Sequence, residues 1–301
     1  MRLRFALYAP VATTVDRDLP LSALGDGEGW GEVGGAVGAE QRRRPPHPTI
    51  ASRRAPPSPL ANGRRGARAR DDRAATRGLR LGDRVLYRDG LIIVIDKPVG
   101  IAVHPGPGGG PNLESSFGEL RFGLPHPPSL AHRLDRDTSG CLVLGRHPKA
   151  LRRLGALFAS GKVEKVYWAV VAGRPPEPEG RIETGLKKLT RSAGWRMVVD
   201  PAGQKAITDY RVRGLADGRA WLELGPRTGR THQLRVHCAA LGCPVVGDAV
   251  YGDPASEKLL QLYAHSITLP LYPARPALEI TAPVPPHMVP ALRNLGYQEV
   301  P

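Results

Sequence analysis

Ser129-Leu130-Ala131-His132-Arg133-Leu134-Asp135-Arg136-Asp137-Thr138-Ser139-Gly140-Cys141-Leu142-Val143-Leu144 places a polar run between two apolar ones. From His132 to Gly140 only Leu134 and Gly140 lack a polar side chain, which rules out a buried strand there, whereas Leu142-Val143-Leu144 has the composition of one. Core on both sides therefore pins a polar loop, the arrangement that holds reactive groups in place while leaving them within reach of solvent. The bland alternative is an ion-paired surface turn.

Working outward toward the C-terminus, Pro148 suits the first turn of a helix whose Leu151, Leu154, Leu157 and Phe158 share one face, with Arg152 and Arg153 turned outward and Gly161 as its stop. Residues 163–171, 205–213 and 219–224 read as strands separated by clusters of Gly and Pro. Thr231 is expected to cap a helix carrying Leu234, Cys238 and Leu241 on one face and ending at Gly242. In the other direction, a strand from Arg84, a turn at Asp89-Gly90 and an apolar strand over Leu91-Ile92-Ile93-Val94-Ile95 precede Asp96-Lys97-Pro98-Val99-Gly100. There Pro98 removes a backbone donor and the chain leaves the sheet. A Gly- and Pro-rich connection over 104–111 leads to a short helix over 113–120. Strands without regular helix alternation predict an α+β domain: a mixed, largely antiparallel sheet with flanking helices around a basic cleft. It is expected to occupy residues 81–301. Residues 1–80 are rich in Arg, Pro, Gly and Ala and show no period that could bury a face, so they read as a disordered extension.

The 301 residues include 43 Lys and Arg against 28 Asp and Glu, a formal charge of +15, and about half of that excess falls after residue 80. A basic folded part implies a polyanionic partner, nucleic acid first, because cations placed on phosphates release condensed counterions. Cys141, Cys238 and Cys243 are odd in number and not closely paired, which fits a reducing cytoplasm better than a disulfide framework. No apolar run approaches the roughly 18 residues of a membrane span. Asp16, Asp18, Asp26 and Glu28 argue against an organellar transit peptide.

Spacing removes several chemistries. Leu134 separates Arg133 from Asp135, and no D-F-G follows, so the loop is not that of a protein kinase. Asp137-Thr138-Ser139-Gly140 has one residue too many for an aspartic protease and has no second copy. His232 and His237 lie roughly 140° apart on a helix, where metal ligands at i and i+4 would converge. No metal is expected from them, from His132 and His265, or from the cysteines. The glycines from Gly106 to Gly110 lack the Lys and Ser or Thr of a phosphate-binding loop.

His132 to Gly140, H-R-L-D-R-D-T-S-G, resembles the signature of the RluA-type RNA pseudouridine synthases. So, in the same order, do Asp96-Lys97-Pro98-Val99-Gly100, the strand Lys165-Val166-Tyr167-Trp168-Ala169-Val170-Val171-Ala172-Gly173, the block Thr228-Gly229-Arg230-Thr231-His232-Gln233-Leu234-Arg235-Val236-His237, and Gly247-Asp248-Ala249-Val250-Tyr251-Gly252. The resemblance spans roughly residues 84–285. It implies the pseudouridine synthase fold, an isomerase without cofactor or metal, and RNA, ribosomal or transfer, as substrate. It makes Asp135 the nucleophile, pairs Arg230 with Asp135, and sets Tyr167 against the target base. Leu134 and Leu234 would line the pocket with Thr138, and Arg133, Arg136, Arg227 and Arg235 would contact the RNA backbone. A monomer is expected. A carboxylate suits the reaction, which breaks the N1 to C1′ bond of uridine, turns the base and rejoins it through C5, because it is an ionised nucleophile at neutral pH. The resemblance leaves open whether C1′ or C6 is attacked. Two departures stand out: Leu262-Tyr263-Ala264-His265 stands where the family has Leu-His-Ala, leaving the role of His265 open, and residues 1–80 lack the apolar periodicity of the small RNA-binding module of some relatives. The competing readings are a non-catalytic RNA-binding or ribosome-assembly factor and a nucleoside hydrolase.

Overall fold

A computed structural model describes residues 79–105, 110–191, 194–253 and 255–298; the extension expected over residues 1–80 lies almost wholly outside the described residues. Apolar runs become the centre of one sheet: β2 (Ile92–Lys97) and β4 (Ser139–Gly145) carry the most continuous buried stretches, β4 being buried throughout, and β5 (Glu164–Ala172) buries Ala169, Val170 and Val171 in a row. With β1 (Val85–Arg88), β3 (Ser129–Leu130), β6 (Glu179–Arg191), β7 (Gly194–Val199), β8 (Gln204–Ala216), β9 (Arg219–Pro226), β10 (Leu262–Leu269) and β11 (Leu278–Thr281), the sheet runs β1-β2-β4-β10-β5-β9-β8-β6-β7. Off this path, β3 pairs with β4 and β11 with β10. Among the described residues every strand pairing is antiparallel except β4 with β10. The mixed, largely antiparallel α+β expectation is met.

Strand alternation gives β5 two different faces. Tyr167 joins the main core with Leu134, Leu224 and Leu234, whereas Trp168 and Val170 pack with Tyr263, Met288, Leu292 and Leu295 beneath the C-terminal helix. The helices are α1 (Pro148–Ala159), α2 (Gln233–Ala240) and α3 (Val289–Asn294).

The parallel step places Ser139 and Gly140 beside Tyr263 and Ala264. Gly140 has φ +99°, and a Cβ there would stand 2.2 Å from the Ala264 carbonyl oxygen, so only glycine lets the polar loop enter the sheet at this point.

Four local expectations need correction. β6 and β7 form a long hairpin where the sequence reads as Gly and Pro clusters, and Gly185 serves close packing, since a Cβ would meet the Asp200 carbonyl oxygen at 2.2 Å. β10, β11 and α3 complete the C-terminal third beyond the elements read from sequence. The segment Leu113–Leu120 is helical but of the tighter 3-10 form, with the Asn112 side chain accepting from Ser115 N. Thr231 does not cap α2: the cap residue is His232, left-handed at φ 53° and without a side-chain cap bond.

Candidate active site

The polar loop is clamped from below. Lys97, fully buried, donates from Nζ to the carbonyl oxygens of Pro98, Arg136 and Thr138 at 2.9, 2.8 and 2.8 Å. Burial pulls its pKa down to about 7 against the pull of Asp137, Asp135 and Asp96. An amine could donate to only two of these oxygens, so the three acceptors themselves favour the ammonium form. Gly100 N donates to the Arg136 carbonyl at 3.0 Å, and Arg136 Nε returns a bond to the Gly100 carbonyl at 2.9 Å. Thr138 N closes a turn onto the Asp135 carbonyl at 3.2 Å. His132 Nε2 accepts from Val143 N at 3.0 Å, which fixes a neutral ring, and burial lowers its pKa to about 4.

Held this way, Asp135 lines a cavity of about 710 Å³ between the loop, the start of β5 and the segment from Gly225 to Arg235. Among the described residues its carboxylate accepts no hydrogen bond. Tyr167, 9% exposed, lines the same cavity, and burial followed by the Asp135 charge raises its pKa, so the phenol keeps its proton. Ionisable groups in contact electrostatically with Asp135 also include His232, Arg235 and Tyr251.

The opposite wall is organised by Gln233. Its Oε1 accepts from Thr228 Oγ1 at 2.7 Å and Arg230 N at 3.0 Å, and its Nε2 donates to the Ile207 carbonyl at 2.9 Å and Thr208 Oγ1 at 3.0 Å, so the buried amide is fully used. Behind it, Arg235 is gripped by Asp248, Nε to Oδ2 at 2.7 Å and Nη2 to Oδ1 at 2.6 Å, while Val250 N and Tyr251 N also donate to Asp248. Burial opposes both charges, but their mutual bonds more than offset it, raising the Arg235 pKa and lowering that of Asp248.

The sequence brings most of its candidates together: Arg133, Leu134, Asp135, Thr138, Tyr167, Arg227, Arg230, Leu234 and Arg235 all border the cavity. Three assignments change. The ion pair expected between Arg230 and Asp135 is not formed: the rim turn is tied down through its backbone, leaving the guanidinium exposed with Nε on the Lys205 carbonyl at 3.1 Å. Arg235 is 5% exposed and occupied by Asp248, so it is an internal strut instead of an outward phosphate contact. Arg136 latches the loop to Gly100 and does not border the cavity. Lys97, Gln233 and Asp248 were present in the quoted motifs without a role; buried charge or amide at motif positions was the signal.

The histidines weighed as metal ligands have other partners. His232 Nδ1 meets Tyr251 Oη at 2.9 Å, and His237 bridges Thr208 and Thr184 at 2.9 and 3.1 Å. His265 lies on the far face of the sheet, stacked on Trp168 at 3.8 Å with Nδ1 against Tyr263 Oη at 2.9 Å. Among the described residues, no helix is long and apolar enough to cross a membrane.

Residues 91–240 match the family model described as RNA pseudouridylate synthase. Over 221 residues the chain is 42% identical to an uncharacterized RNA pseudouridine synthase of Zymomonas mobilis, covering 72% of this chain and 99% of that protein. It is 35% identical to a protein of Borreliella burgdorferi named ribosomal large subunit pseudouridine synthase D, covering 62% of this chain and 60% of that one. The solved structure of human RNA pseudouridylate synthase domain containing 4 superposes with a TM-score of 0.60 at 26% identity, covering 77% of this chain and 97% of that chain.

Proposed function

This chain belongs to the family of RNA pseudouridylate synthases, isomerases that convert uridine in RNA to pseudouridine, and from that premise we propose that Asp135 is its nucleophile. The observation that carries the assignment is a carboxylate on a rigidly clamped loop, facing an open basic cavity and accepting no hydrogen bond among the described residues. Asp135 attacks the target nucleoside, at C1′ or at C6. The N1 to C1′ bond breaks, the base turns within the cavity and C5 joins C1′; the bond to the Asp135 carboxylate is then broken, displaced at C1′ or eliminated from C6, and the proton displaced from C5 leaves as N1 gains one. Tyr167, protonated and beside Asp135, orients the base and moves the proton. Leu134 and Leu234 supply an apolar wall on which the flipped base packs. Extruding the base costs a few kcal/mol, so unpaired or weakly paired uridines are the favoured targets. Arg133, Arg227 and Arg230 offset that cost at the cavity mouth by contacting phosphates.

The substrate is ribosomal or transfer RNA; the name of the Borreliella relative favours the large ribosomal subunit. We assign the enzyme to the cytoplasm as a monomer. Its three buried free thiols suit a reducing compartment.

Asp135→Ala is expected to abolish pseudouridine formation on RNA from a strain lacking the enzyme while leaving RNA affinity within severalfold. Carbodiimide mapping and filter binding measure the two. Retained activity in the variant would remove Asp135 from the chemistry. Carbodiimide mapping that finds every pseudouridine still present in the deletion strain would instead favour a non-catalytic RNA-binding role, and free uracil release would favour a hydrolase.

A further inference from the structure

Trp195, near the tip of the β6–β7 hairpin, is 46% exposed, whereas Trp168 and Trp221 pack beneath α3. The hairpin itself is fastened to the cleft wall. Met197 is buried with Leu186, Ala206 and Val236, and its backbone N donates to Tyr251 Oη at 2.9 Å, the hydroxyl that also meets His232. Two residues nearer the tip and on the same strand face, Trp195 extends past that small core. Its ring lies 5.1 Å from the His232 ring at 30°, and Lys188 Nζ lies 4.9 Å from its centroid. His232, Thr231 and Arg230 in turn border the cavity that holds Asp135. Lys188 and Arg196 are exposed beside Trp195, and Lys187 and Lys205, exposed toward the hairpin base, pair with Asp200 at 3.4 Å and Glu183 at 2.5 Å.

We infer that Trp195 is a stacking platform for an unpaired base flanking the target uridine, with Lys188 taking the adjoining phosphate. The inference rests on the proposed action on RNA and names the surface by which that RNA is held. Leaving so large an apolar face in water is unfavourable unless something covers it. An indole set among cations and continuous with a nucleic-acid cleft matches a nucleobase, because every base has a π-face and every linkage a negative charge. A protein partner would need a wider apolar patch than this single ring beside lysines and arginine. The fixed attachment through Met197 and Tyr251 keeps the platform in register with the cavity, so a stacked neighbour would fix which uridine reaches Asp135.

The test uses the full chain with two probes: a uridine decamer, and a decamer of the same backbone carrying abasic residues. Trp195→Ala is expected to weaken binding of the uridine decamer about 5- to 150-fold, from the roughly 1–3 kcal/mol that base stacking contributes. Trp195→Phe should lose far less, and both should bind the abasic decamer as the wild type does. Equal losses on both decamers, or none on either, would overturn the platform; if Trp195→Ala does not fold, Trp195→Leu, which keeps apolar cover over His232, carries the same comparison. The functional reading fails separately, if the wild type forms no pseudouridine in any cellular RNA; normal KM for modified RNA in Trp195→Ala would sink the platform alone.

Discussion

The floor and the rim of the cleft solve the problem of holding polar groups by different means. On the floor, His132 to Gly140, position comes from burial: an ammonium spends its bonds on backbone carbonyls, a neutral imidazole accepts from β4, and glycine admits the loop beside β10. Along the rim, Arg227 to His232, position comes from the backbone and one buried glutamine, while the arginine side chains project outward onto exposed partners. Buried polar groups left without partners are expensive, and exposed ones are not. Floor substitutions should therefore act through folding and turnover, and rim substitutions through RNA affinity.

The sharpest way to break this distinction is Lys97→Met, which keeps the volume but strips donors from three buried carbonyl oxygens. We expect a loss of roughly 3–5 kcal/mol, large against the roughly 5–15 kcal/mol of a typical domain, read as a fall in urea midpoint at constant slope. Lys97→Arg should not rescue it, because a planar guanidinium cannot match three acceptors around one nitrogen. A midpoint within the equivalent of 1 kcal/mol of wild type would show that solvent reaches the clamp and that the floor is no more rigid than the rim.

How far the site was legible follows the same division. Asp135, Tyr167, Arg227 and Leu234 could be placed in one cavity because motif residues on either side of apolar runs keep their relation when those runs pair in a sheet. What motifs do not reveal is how each charge is neutralised. Arg230 and Arg235 sit five residues apart in one block, yet one is exposed and the other inside, and only the arrival of Asp248 from a loop thirteen positions further on decides it. The central strands were readable from continuous apolar composition. β6 and β7 were not, because Glu179–Arg191 and Gly194–Val199 alternate weakly and carry glycines that serve close backbone approach. Thr231 failed as a cap because the helix begins one residue later than its sequence signal, with His232 in a left-handed turn as the cap residue.

Acid should separate the two regions by a smaller margin. Burial holds His132 and His237 near pKa 4 instead of the usual 6.5. A base with a depressed folded pKa is protonated more readily in the unfolded chain, so stability is complete above pH 6.5 and falls as pH drops through the interval to about 4. For the fully buried His237, on the order of 2 kcal/mol is at stake. Urea midpoints at pH 7.5, 6 and 5 should decline monotonically, and His237→Gln should flatten the slope. A profile level down to pH 5 would show that these rings reach water. RNA affinity measured at pH 7.5 should be the same for His237→Gln and wild type, since neither ring nitrogen faces the cavity.

The rim gives the smallest stability effect and the clearest binding one. Arg227 is 62% exposed in its side chain and lies 2.7 Å from Asp209, which is shared with Arg181, so removing it leaves that carboxylate still partnered. Arg227→Ala should change folding stability by less than about 0.5 kcal/mol, as exposed pairs usually do. Deleting one phosphate contact should also lower the slope of log affinity against log salt by about one, with kcat at saturating RNA unchanged. If kcat fell while the salt slope stayed fixed, Arg227 would be acting on the reacting nucleotide, and the boundary between a binding rim and a chemical floor would have to be drawn outside it.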